Sequence, residues 1–188
     1  IGIIVYFYQI TLFTINSNFI SIFFIFFSII NIFNSLLVSL VELIAHRRNT
    51  IDELLRTDIS CGIEVDIRSY GDELIIHHDP FIYKNTTLFK DWIKFYNHGT
   101  LILNVKEEGL EEKLLKTLKK QQIENFFFLD QSFPFLVKTF MNGENRCAVR
   151  FSEYESIETV IKLKGKVNWV WIDCFKSFHL TYDLFDIL

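Results

Sequence analysis

The stretch Leu43–Pro80, LIAHRRNTIDELLRTDISCGIEVDIRSYGDELIIHHDP, decides the reading of this chain. Three apolar runs in it end on polar groups. His46 and Arg47 close the first, Glu64 and Asp66 alternate through the second, and His78 with Asp79 closes the third. Glu64 and Asp66 stand two apart on a strand, so both point to one face. A carboxylate pair on an inward face is costly unless something positive neutralises it. The residues leave two readings open: an ion pair with Arg47, Arg68 or Lys106, or a hard divalent cation, Mg²⁺ or Ca²⁺, which prefers oxygen ligands. Histidine-bearing strand ends on either side favour the cation. His46 and His78 suit general acid–base work, because an imidazole titrates near ~6.5. Arg47 offers a planar fork for phosphate oxygens, and Lys106 adds a point charge. His77 should face the opposite side of its strand from His78. Such a set of groups is what metal-assisted phosphodiester cleavage requires.

Outward from this stretch, β-type runs alternate with helical ones, the signature of an α/β fold. The strand candidates are 41–46, 62–67, 100–106, 125–130, 147–151 and 168–173, most of them almost continuously apolar. That pattern predicts a parallel sheet covered by helices. Thr50 and Glu53 form a capping box for a helix over 49–57. Leu110, Leu114, Leu115 and Leu118 recur at helical spacing over 109–122, and Ser152 opens a third helix over 152–163. The run 74–78 reads as a hairpin extension of the second strand. Polar residues gather at strand C-termini: His46, Asp66, Lys106, Asp130 and Asp173. Contributions from so many strands favour a TIM-type (β/α) barrel over a doubly wound sheet, whose ligands bind at one switch point. Six strands are found where a closed barrel has eight, so the expectation is an incomplete barrel over 41–188 and a chain that is a fragment.

The 188 residues suffice for one domain with a substantial core, and half are hydrophobic. The excess is uneven: residues 1–41 carry no charged side chain. Within them, residues 19–41 are long enough to span a bilayer, since about 20 apolar residues suffice. A signal peptide fits poorly, lacking a basic start and a small-residue cleavage site. The tract is also built almost wholly from Phe, Ile, Asn, Ser and Leu, as an AT-rich upstream stretch would be if translated. Residues 1–40 are therefore expected to be either a membrane helix, placing the protein at a membrane, or non-native read-through. A net charge of −4 gives no support to nucleic-acid binding. Cys61, Cys147 and Cys174 lie far apart with no zinc spacing, and read as buried free thiols.

The combination HR…NT…GIEVDIR…DELIIHHDP resembles the glycerophosphodiester phosphodiesterases, TIM barrels of the wider phosphatidylinositol-phospholipase-like superfamily. The resemblance runs from about Val41 to the C-terminus, and NVKEEGLEE, FFFLDQSFP, VRFSEYE and WVWIDCF are more similar to a divergent bacterial-type branch. It implies His46 and His78 as the acid–base pair, Arg47 as a phosphate contact, and Glu64 and Asp66 as metal ligands. The family usually supplies a third carboxylate from a strand ending in E-x-K, where this chain has Asn104-Val105-Lys106. Asn104 can ligate through its carbonyl oxygen without adding charge, and Asp130 at the next strand end offers a carboxylate instead. The link from Arg47 to Asn49-Thr50 is shorter than the family's loop, and the strands that close the family's barrel are missing. The expected function is hydrolysis of a small glycerophosphodiester or related lipid-derived phosphodiester. The alternative is an impaired or non-catalytic phosphate-binding barrel, which the replacement at Asn104 motivates.

Overall fold

A computed structural model describes residues 2–7, 10–16, 41–80 and 86–176. The chain divides into two compact units, Ile44–Cys147 and Ile1–Leu43 with Ala148–Leu188.

The unit Ile44–Cys147 is built on a mixed, open sheet of six strands. These are β3 (Val41–Ala45), β4 (Gly62–Tyr70), β5 (Glu73–Ile76), β6 (Thr87–Leu88), β7 (Leu101–Val105) and β8 (Phe126–Leu129). Along one edge β4 pairs in parallel with β7, from Ile63↔Leu101 to Ile67↔Val105, and β7 pairs in parallel with β8. Its other edge is shared: β3 takes the start, in parallel, and the antiparallel β5 takes Ile67–Tyr70. Gly71, at φ +57°, supplies the positive φ that the first position of this two-residue hairpin turn needs. The β4–β5 hairpin is the extension anticipated from 74–78, and it makes the sheet mixed where a parallel one was expected. Among the described residues this sheet does not close into a barrel, and β8 carries a single parallel bridge, Phe128↔Cys147, on its far side.

Register sorts the side chains of this sheet into two faces. Ile63, Val65 and Ile67 align with Leu101, Leu103 and Val105, and the first four of these are wholly buried with Leu103. The opposite face aligns Glu64 with Ile102 and Asp66 with Asn104. One strand thus builds core with its odd residues and carries the acids with its even ones.

Helices connect the strands. α1 (Ile51–Leu55) starts with both halves of the anticipated capping box, Thr50 to Glu53 and back. α2 (Phe89–Trp92) runs into a 3₁₀ turn, Ile93–Phe95, and its buried Trp92 donates Nε1–H to the Arg48 carbonyl at 2.9 Å. α3 (Glu111–Lys120) buries Leu114 and Leu118, as their spacing predicts, with acids in its first turn and lysines in its last. α4 (Phe133–Met141), with Pro134 in its first turn, follows β8 and is not singled out by the sequence.

The second unit contains the strands β1 (Gly2–Phe7), β2 (Ile10–Asn16), β9 (Ala148–Phe151) and β10 (Trp169–Cys174). β1 and β2 are antiparallel, β1 runs parallel to β10, and β10 runs parallel to β9. α5 (Ile157–Leu163) begins later than expected. Ser152 gives its hydroxyl to the Glu155 carboxylate at 2.7 Å, so the capping role falls to Ser156, which accepts from the Glu158 N–H. The membrane-helix candidate at 19–41 lies outside the described residues apart from Val41, which belongs to β3. Among the described residues no helix is long and apolar enough to cross a membrane.

Phe127 is 0% exposed and Leu55 is 59% exposed. Phe127→Ala should therefore cost about 3–5 kcal/mol, and Leu55→Ala should stay within about 0.5 kcal/mol. Urea unfolding midpoints read both. Similar small shifts for the two would show that β8 does not line the core.

Candidate functional site

The site lies where the C-terminal ends of β3, β5, β7 and β8 meet Glu64 and Asp66 within β4. Backbone bonds tie these ends together: Arg48 N–H donates to Glu64 O (2.9 Å), His77 N–H to Asp66 O (3.1 Å) and Lys106 N–H to Ile67 O (3.0 Å). Arg47, two residues past β3, and Asp130, directly after β8, adopt the left-handed region at φ 53° and 60°. Non-glycine residues held there cost of order 1–3 kcal/mol and cluster at functional sites.

Glu64 and Asp66 are 0% exposed and each is closely bracketed. Glu64 accepts from the Arg47 backbone N–H (Oε2, 2.7 Å) and from Asn104 Nδ2 (Oε1, 2.7 Å). His46 Nε2 lies 3.4 Å from Glu64 Oε2. Asp66 is held by Asn49, whose Nδ2 donates to Oδ2 at 2.8 Å while its Oδ1 accepts the Asp66 N–H at 3.0 Å. Lys106 Nζ reaches Asp66 Oδ1 at 3.4 Å and Asp130 Oδ2 at 3.1 Å. Of the three cations the sequence offers to the acidic pair, then, Lys106 pairs with Asp66 through its side chain. Arg47 meets Glu64 through its backbone, and Arg68 turns to Glu107 at 3.5 Å.

The His46–Glu64 contact is not a pairing of charges. Burial, then the neighbouring Arg47 charge, lower His46 to about 4. Burial, then repulsion from Asp66, raise Glu64 to about 7, against the opposing hydrogen bonds from Asn104 and Arg47. Near pH 6 both groups are therefore neutral.

His78 stands at the far side of Arg47. Arg47 Nη2 lies 2.8 Å from His78 Nε2, and His78 Nδ1 lies 2.8 Å from Asp79 Oδ1. Arg68 donates to the His78 carbonyl through Nε (3.2 Å) and Nη2 (3.0 Å), and to the Lys106 carbonyl through Nη1 (3.2 Å). Glu107, two residues past β7, ties this clamp to the end of β4, accepting from Ser69 N–H (3.0 Å) and Oγ–H (2.6 Å). His77 is engaged with the Asp79 carbonyl at 2.7 Å. The residues named from sequence therefore fall into two linked groups: Glu64, Asp66, Asn104, Lys106 and Asp130 with His46, and Arg47 with His78. Asn49, Asp79 and Glu107 have no role in the sequence reading, and Arg68, offered there as an ion-pair partner of the acids, instead holds the His78 and Lys106 carbonyls. Asp79 was signalled by its adjacency to His78, whereas Asn49 reads only as the residue before a helix cap.

The chemistry of the donors suits a hard cation. Asn104 Oδ1 is buried without a hydrogen-bond donor, and beside it Asp66 Oδ1 has no hydrogen bond, only the Lys106 ammonium at 3.4 Å. Oxygen atoms left in this state are what Mg²⁺ or Ca²⁺ would ligate. Among the described residues, no three His, Cys, Asp or Glu side chains already converge as a metal-holding cluster. No protein-family model and no curated protein matches this chain.

Glu64 holds its proton more tightly folded than unfolded. Its contribution to stability is complete below the ordinary value of 4.5 and is lost as pH rises to about 7. His46 works in the opposite sense between about 4 and 6.5, in wild type and variant alike. Glu64→Gln, which keeps the neutral form, should raise the melting temperature at pH 8 and change it little at pH 5. An unchanged melting temperature at pH 8 would mean that the buried carboxylate ionises without cost.

Proposed function

We propose that this protein is a metal-dependent phosphodiester hydrolase acting on glycerophosphodiesters or related lipid-derived phosphodiesters, with residues 41–188 belonging to a TIM-type (β/α) barrel. The observation that carries the reading is the meeting of two histidines, an arginine and a lysine from strand ends with a fully buried carboxylate pair on the neighbouring β4. A structural ion pair would need only one of those cations. Residues 1–40 then add membrane association if they include the apolar helix that their composition allows.

In this reading Arg47 and Lys106 take the phosphate oxygens, the first as a fork and the second as a point charge. Glu64, Asp66 and the Asn104 carbonyl, with Asp130 as a further carboxylate, would hold Mg²⁺ or Ca²⁺, which supplies positive charge against the growing negative charge on phosphate. One histidine takes the proton of the attacking hydroxyl, from water or from the substrate's own adjacent OH, and the other protonates the leaving alkoxide. His46, lowered to about 4 without ligand, rests in its neutral form at pH 7.

One observation favours the rival reading, a phosphate-binding domain without turnover. Lys106 already bridges Asp66 and Asp130, supplying from within the chain part of the positive charge that a metal ion would bring.

The deciding experiment offers glycerophosphodiesters to the purified full chain with Mg²⁺ or Ca²⁺. Turnover is expected, and His46→Ala and His78→Ala should each lower kcat/KM by about 10²–10⁴-fold, the usual worth of a general acid or base. Undiminished activity in either variant would remove that histidine from the mechanism. Ligand binding with no turnover would establish the rival.

A further inference from the structure

His78 is held at both ring nitrogens, and the identity of its partners fixes its proton. A guanidinium has five N–H donors and no acceptor. Arg47 Nη2, 2.8 Å from His78 Nε2, must therefore be the donor, and Nε2 must carry a lone pair. The ring's proton then lies on Nδ1, where the Asp79 carboxylate accepts it at 2.8 Å. His78 is thus neutral, in one tautomer, with its outward nitrogen capped by a cation. While that cap is in place, Nε2 can neither accept a proton nor reach a substrate.

The capping residue is the one whose geometry suits phosphate. Arg47 is exposed and its side chain is anchored at the tip by His78. Its backbone is fixed independently, by the N–H bond to Glu64 at 2.7 Å. The guanidinium can therefore change partner without moving the chain. Charge-assisted bonds to phosphate oxygens are stronger than a bond to a neutral imidazole. His78 would stay in place meanwhile, because Arg68 grips its carbonyl from β4 at 3.0 Å and Asp79 grips Nδ1.

We propose that Arg47 is shared between His78 and the ligand, so that a phosphate group drawing off the guanidinium uncovers His78 Nε2 as a proton acceptor, with Asp79 as the positioning residue that keeps the ring in the Nδ1–H tautomer. The exchange balances: the Arg47–Nε2 hydrogen bond breaks, Arg47 bonds phosphate oxygen and keeps its protons, and Nε2 gains one proton from the hydroxyl or from solvent. Idle imidazole is protected, and proton transfer is tied to occupancy. This rests on the phosphodiester reading of the site and deepens it.

The charged and titratable groups around His78 are Arg47 from the loop after β3, Arg68 from β4, its neighbours His77 and Asp79, and His46. Nitrogen-15 NMR of the histidine rings in the full chain reads His78 directly. Without ligand, Nδ1 should be protonated and Nε2 not, and Asp79→Ala should turn this into a tautomer mixture. Arg47→Gln should raise the His78 midpoint by about one pH unit with no ligand present, the scale of one lost hydrogen bond to a charged group. Arg47→Asn, suited to the backbone at φ 53°, provides a second variant. Inorganic phosphate should produce a similar rise in the wild type and a much smaller one in either variant. A His78 midpoint unmoved by both Arg47 substitutions, or unmoved by saturating phosphate in the wild type, would overturn the proposal. Turnover is measured separately: a phosphate-coupled His78 in a protein with no hydrolase activity sinks the hydrolase reading alone, and an uncoupled His78 in an active enzyme sinks this inference alone.

Discussion

Burying two carboxylates two residues apart on one strand would cost several kcal/mol per ion if their charge were uncompensated. Much of the structure around β4 answers that cost. Glu64 and Asp66 have no exposed surface, and between them they draw in the Arg47 backbone, Asn49, Asn104 and Lys106. Glu64 escapes part of the penalty by holding a proton up to about 7, whereas Asp66 has Lys106 beside it. The loops after β3 and β7 are therefore shaped by the acids on β4 as well as by their own sequences. Trp92, donating to the Arg48 carbonyl, pins the first of those loops from the helical side.

A second layer of bonds acts on position more than on charge. Arg68 reaches the carbonyls of His78 and Lys106 at once, so one guanidinium sets the spacing between the β5 end and the β7 end. Glu107 neutralises it and closes the bond back to Ser69. These residues need not touch a ligand to matter, since a displacement of about 1 Å at a reacting group is enough to lower rates steeply. The left-handed backbone at Arg47 and Asp130 belongs to the same pattern, in which loops leave strand ends in strained directions.

How much of this was legible in the sequence varies with the kind of force involved. All six apolar runs became strands, five of them within a residue of their expected limits, because continuous burial leaves a continuous apolar signal, while β4 runs three residues past 67 into its hairpin. The Thr50–Glu53 capping box and the α3 leucines were equally readable, both being local patterns. Convergence of Glu64, Asp66 and Asn104 followed from strand parity and the parallel register. Sheet closure was not readable, because the occupancy of a strand edge depends on partners far away in sequence. The β5 hairpin taking β4's edge beyond Ile67 is one such partner. The roles of Asn49 and Arg68 were hidden for a similar reason: both are side chains reaching across 10 to 38 residues to a carboxylate or a carbonyl. The start of α5 was misplaced by a local competition, Ser152 preferring Glu155 to a capping role.

If the buried pair on β4 is a cation site and not merely an internally neutralised structural feature, a bound cation must stabilise the fold. Thermal unfolding of the full chain with and without Mg²⁺ or Ca²⁺ tests this most directly, in wild type and in Asp66→Asn. A ligand present at about a hundred times its dissociation constant stabilises a fold by about 2.7 kcal/mol. The melting temperature of the wild type should rise by several degrees with cation, and that of Asp66→Asn should not respond. A wild type indifferent to both cations would contradict a cation site and leave Lys106 as the permanent counter-ion.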